Sequence, residues 1–129
     1  MKENVGLLLT KRAQLCPEVE GFVDFDTDRR FTFPEWNARA NRTAHLLRRL
    51  GVAKGDRVAL LQMNSVEYME SFFAIAKIGA ICVPLNWRLV PDELRFILRD
   101  AGVSVLIYGS EFGASVADLR ERAKARRAR

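Results

Sequence analysis

Five groups of residues in this 129-residue chain are of types that could do chemistry. Glu67 and Glu70 stand three apart, a spacing at which two carboxylates could divide general acid and general base work. Ser65 and Cys82 carry potential nucleophiles, and His45, the only histidine, has the side chain that titrates nearest neutral pH. The turn Gly109-Ser110-Glu111-Phe112-Gly113 could lay backbone N–H groups around a phosphate. The closing stretch RERAKARRAR could meet the phosphates of a nucleic acid or an anionic lipid.

Each group also has a plainer reading. The glycine turn has the spacing of neither GxGxxG nor GxxxxGK[ST], and Glu111 would repel a phosphate, so a simple strand-to-helix connection is expected. A helical wheel sets His45 with Asn41, Arg42 and Arg49 on a polar face, and no cysteine or carboxylate cluster completes a metal site. Ser65 has no GxSxG elbow and no neighbouring histidine, which leaves it a helix cap. Glu67 and Glu70 read as the wet side of an otherwise apolar helix, and Cys82 lacks an activating base. The basic stretch has no interleaved aromatic residues for base stacking, so a specific nucleic-acid role is not expected. No catalytic, cofactor-binding or metal-ligating residue is therefore assigned in this chain.

The elements that would position such groups are read from periodicity and punctuation. Residues 3–15 place Val5, Leu8, Leu9, Ala13 and Leu15 close to one helical stripe, and Pro17 stops continuation. GFVDFD and RRFTF, joined by Asp26-Thr27-Asp28, signal a hairpin. Pro34 suits a first helical turn, and Trp36, Ala40, Ala44, Leu47 and Leu50 recur at helical spacing up to Gly51. RVALLQ follows as an unalternating apolar strand. Asn64 or Ser65 then caps the helix VEYMESFFAIAKI, which stops at Gly79. That helix is apolar nearly all round in its last two turns and needs cover on more than one side, from another layer, another subunit or further polypeptide.

AICVPL is expected as a second buried strand, Pro91 opens a helix that Gly102 closes, and VSVLIY is a third buried strand. Strand, helix, strand, helix, strand predicts right-handed βαβ crossovers and a three-layer α/β fold around a parallel sheet, preceded by a helix and a β-hairpin. From Glu111 the chain is expected to be helical, with Val116 and Leu119 too few to anchor it firmly.

Composition agrees with a globular protein: 49% of residues are hydrophobic and 29% charged. The net charge of +5 suggests an anionic partner until it is located. Six basic residues against one acidic in positions 120–129 supply all of it, and the preceding 119 residues are neutral. Cys16 and Cys82 are too few and too unlike in setting for a disulfide framework, which predicts a reducing, cytoplasmic location. The start lacks the uninterrupted apolar region of a signal peptide, and the longest apolar run, FFAIAKIGAICVPL, is broken by Lys77 and Pro84 and is too short to span a bilayer.

The order FTFPEWNARANRTAHLLRRLGVAKGDRVALL, followed by NSVEYMESFFAIAKIGAICVPLNWRLVPDELRFILRDAG, carries a more specific signal. Asn64-Ser65 with Glu67, Ala76-Lys77 with Gly79-Ala80, Val83-Pro84-Leu85-Asn86, Arg88-Leu89 and Glu93-Leu94 together resemble the acyl-adenylate-forming (AMP-binding) enzymes. That family includes fatty-acyl-CoA synthetases, luciferases and peptide-synthetase adenylation domains. The GAICVPLNWRL version is most similar to fatty-acyl and related acyl-CoA synthetases.

The resemblance implies that residues 1–119 are the first subdomain of the large domain of an acyl-CoA synthetase, with residues 120–129 as a separate basic tail. It further implies a complete enzyme that uses ATP and magnesium to convert a carboxylic acid to an acyl-adenylate, then passes the acyl group to CoA. The family's Ser/Thr/Gly-rich phosphate loop ending in Pro-Lys-Gly is not in these 129 residues, nor are its later Mg-ATP and ribose carboxylates or its C-terminal catalytic lysine. The chain alone is therefore expected to be inactive, with the remainder of the synthetase as its partner. Two rival readings have no motif to support them: a non-catalytic interaction module that pairs with itself or a partner through the apolar helix, and a nucleic-acid or membrane-surface binder acting through its basic end.

Overall fold

The computed structural model describes residues 3–127. The first elements are helix α1 (Gly6–Leu15), the antiparallel hairpin β1 (Glu20–Asp24) and β2 (Arg29–Thr32), and helix α2 (Phe33–Arg49). Thr32 Oγ1 accepts from the Glu35 N–H at 3.3 Å while Glu35 Oε2 accepts from the Thr32 N–H at 2.8 Å, so α2 begins in a reciprocal cap. It ends at Gly51, whose φ of +89° is a conformation glycine adopts without strain.

Strand β3 (Arg57–Leu61), helix α3 (Val66–Lys77), strand β4 (Ile81–Pro84), helix α4 (Pro91–Asp100) and strand β5 (Val103–Tyr108) follow. A short 3₁₀ turn at Ser110–Phe112 leads into helix α5 (Gly113–Arg127). The sheet has the order β4-β3-β5, with both pairings parallel. Side chains of β3 divide by alternation between two cores. Val58 and Leu60 join Ala44, Leu47, Ala74 and Ile75 of α2 and α3 on one face. Ala59 and Leu61 join Leu85, Leu94, Val116 and Leu119 beneath α4 and α5 on the other. This is the expected three-layer α/β arrangement, with the central strand covered on both sides.

Three local expectations change on folding and one open choice is decided. Only β3 carries a fully buried run, Val58 to Leu61; β4 and β5 each pair with β3 alone among the described residues, and Ile81 stays 48% exposed. The stripe expected on α1 is not its buried face. Leu9 and Gly6 point inward, while Val5, Leu8 and Leu15 are more than half exposed. Gly6 decides this, because its lack of a side chain lets α1 lie directly on the backbone of Lys77.

The cover that α3 requires comes from this chain. Helices α1 and α2 both pack on it, and Trp36 meets Phe73 edge-on at a centroid distance of 5.3 Å. Finally, α5 is anchored: Val116 and Leu119 are buried, and the Arg122 guanidinium pairs with Asp92 of α4 and Asp118.

Candidate functional site

Open parallel sheets bind ligands outside the carboxyl ends of their strands, where successive connections diverge to opposite faces. Here those ends are the loops after β3 at 62–65, after β4 at 85–90 and after β5 at 109–112. Met63 and Trp87 stand 43% and 42% exposed there, and the Arg88 guanidinium lies 4.8 Å from the centre of the Trp87 ring. Gln62 Oε1 is buried beneath this edge without a hydrogen-bond partner. The loops are held from within: Asn86 Oδ1 accepts from the Arg88 N–H, and Glu93 Oε2 from the Val90 N–H. Aromatic faces, an amide and a guanidinium can bind a planar or anionic group. They supply no nucleophile with a base.

A second recess of about 300 Å³ lies between β1 and the first turn of α3, lined by Phe22, Val23, Phe25, Tyr68 and Met69 with Asn64 at its edge. It is apolar and open. Asp24 and Asp26 also line it, and Asp24 Oδ1 is engaged in the hairpin turn, where it accepts from the Asp26 and Thr27 N–H groups.

The structure keeps the residues screened in the sequence apart. His45 is exposed on α2. Ser65 Oγ accepts from the Tyr68 N–H at 3.1 Å, which selects it over Asn64 as the cap of α3. The Gly109 N–H donates to the Leu61 carbonyl at 3.0 Å, extending the β3–β5 pairing into the turn. The Glu111 carboxylate is folded against Gly109, 2.6 Å from where a Cβ would sit. A negative charge thus stands at the one turn that could have cradled a phosphate. Among the described residues no group of three or more His, Cys, Asp or Glu could hold a metal ion. The turn at 109–113, with a carboxylate folded against it and no basic side chain, does not fit a nucleotide phosphate.

Cys82 lies half-buried against the α2–α3 core, and burial pushes its thiol up from the ordinary value. Less thiolate forms at a given pH, the opposite of what a nucleophile needs. At pH 8, iodoacetamide is expected to alkylate Cys82 more slowly than it alkylates free cysteine. Faster reaction, followed by peptide mass spectrometry, would reinstate Cys82 as a nucleophile.

Glu67 and Glu70 are not a wet face. Arg29 grips Glu67 through both terminal nitrogens, at 2.8 and 3.1 Å, and Arg39 pairs with Glu70 while reaching Glu67 at 3.5 Å. The Phe31 ring lies under both guanidinium groups, 5.9 Å from that of Arg29 and 5.1 Å from that of Arg39. The network ties the hairpin and α2 to α3. The Arg29 hydrogen bond holds the Glu67 carboxyl below its ordinary 4.5. Such a group stabilises the fold above pH 4.5 and loses that contribution as pH falls through its lowered native value. Replacing Glu67 by Gln is expected to flatten the acid limb of stability in urea titrations between pH 6 and pH 3. An unchanged acid limb would remove the pair from the argument. Because Glu67 is 39% exposed, solvent screening keeps the effect small.

Sequence reasoning missed this four-residue network and the Lys77 junction. Lys77 Nζ donates to Thr10 Oγ1 and to Asn37 Oδ1, joining α1, α2 and α3, and burial lowers its basicity. No local pattern announces either cluster, since the partners stand 28 to 67 residues apart.

A three-layer α/β unit with hydrogen-bonded loops is defined as a class by its scaffold. That scaffold and the sequence agree on one family. The sequence matches the AMP-binding enzyme family over residues 9–129, and the chain belongs to that family. It is 46% identical over 121 residues to the long-chain-fatty-acid–CoA ligase FadD13 of Mycobacterium tuberculosis, covering 94% of this chain and 24% of that protein. It is 39% identical to the crotonobetaine/carnitine–CoA ligase of Salmonella typhimurium, over 90% of this chain and 22% of the relative.

Among solved structures, the N-terminal domain of FACL13 from Mycobacterium tuberculosis superposes with a TM-score of 0.89 at 46% identity, over 92% of this chain and 30% of that one. The anthranilate CoA ligase AuaEII, solved with anthranoyl-AMP, gives 0.86 at 34% identity, over 92% and 23% of the two chains. The chain thus spans about a quarter of the length of the curated relatives it matches.

Proposed function

We propose that this chain is the first subdomain of the large domain of an acyl-CoA synthetase, and that it builds and stabilises that domain without carrying reacting groups. The complete enzyme activates a carboxylic acid, a fatty acid on this reading, with ATP and magnesium to an acyl-adenylate, and then transfers the acyl group to CoA. The observation that carries the reading is the 46% identity and 0.89 TM-score to the N-terminal domain of FACL13. It is supported by the absence from the 129 residues of a Ser/Thr/Gly loop ending in Pro-Lys-Gly. The remainder of the synthetase is the partner, and the reducing cytoplasm, with Cys16 and Cys82 as free thiols, is the location that goes with it. No helix among the described residues is long and apolar enough to cross a membrane.

The interaction-module reading loses its motive, because the apolar surface of α3 is covered by α1 and α2. The test is acid-dependent ATP–pyrophosphate exchange by the 129-residue chain, with carboxylic acids from acetate to palmitate. Exchange no greater than that without protein is expected. Robust acid-dependent exchange would overturn the assignment of this unit as scaffold.

A further inference from the structure

We draw no further inference here: the strongest candidate, the outer face of α1 on which Val5, Leu7, Leu8 and Leu15 stand more than half exposed beside Lys11 and Arg12, is an unpartnered apolar surface, and nothing in the structure shows what covers it.

Discussion

Replacing Leu60 by Ala is expected to lower the unfolding free energy by about 3 kcal/mol, a large share of the roughly 5–15 kcal/mol that a domain possesses. Leu60 is 0% exposed on the central strand and contacts the α2–α3 core, whose other members include Leu47, Ala74 and Ile75. Its loss removes the transfer free energy of the side chain and leaves a cavity between a strand paired on both sides and two packed helices. Neither partner can collapse far. Urea unfolding followed by far-ultraviolet circular dichroism reads the change. Leu46→Ala is the control: Leu46 is 53% exposed on α2 and should shift stability by less than about 0.5 kcal/mol. Equal losses in the two variants would mean that β3 is not the centre of the fold.

The second large effect is expected at Gly6. A Cβ there would come within 2.7 Å of Lys77 Cα, and the obstacle is backbone, which cannot rotate aside. Gly6→Leu therefore forces α1 from its seat and separates Thr10 from the Lys77 ammonium, at an expected cost of about 1–3 kcal/mol. Helix α1 should then exchange its amide hydrogens faster and be cut more readily after Lys11 and Arg12, while β3 and α3 keep their protection. Unchanged protection across Gly6–Leu15 would show that the close approach does not hold α1 in place. Leu7→Ala, on the exposed side of the same helix, serves as the comparison.

Signals within a few residues were legible in the sequence. Gly51, Gly79 and Gly102 end helices at φ values of +89°, +74° and +62°, and the cap of α3 is Ser65, one of the two neighbouring polar residues that precede its apolar periodicity. Val58 to Leu61, four apolar residues without alternation, mark the one strand with cover on both faces.

What was not legible depends on who lies opposite. The same apolar run was expected in AICVPL and VSVLIY, but strand order places them outside β3, and a run of side chains does not encode its neighbours. The exposed stripe on α1 misled because hydrophobic spacing carries no information about the backbone contact that Gly6 permits. Glu67 and Glu70 looked solvated because Arg29 and Arg39 belong to other elements. At the carboxyl edge, the loops that carry Met63 and Trp87 follow neighbouring strands only because β3 and β4 pair in parallel.

The division of β3 between two cores also sets an order of assembly. Every buried member of the α2–α3 core lies within residues 44–78, whereas the opposite core draws on Ala59 and Leu61 and also on Val116 and Leu119. A chain emerging from the ribosome can close the first core while residues of the second are still unsynthesised. During that interval the far side of β3 has apolar side chains and no lid, and α4 and α5 are its late cover.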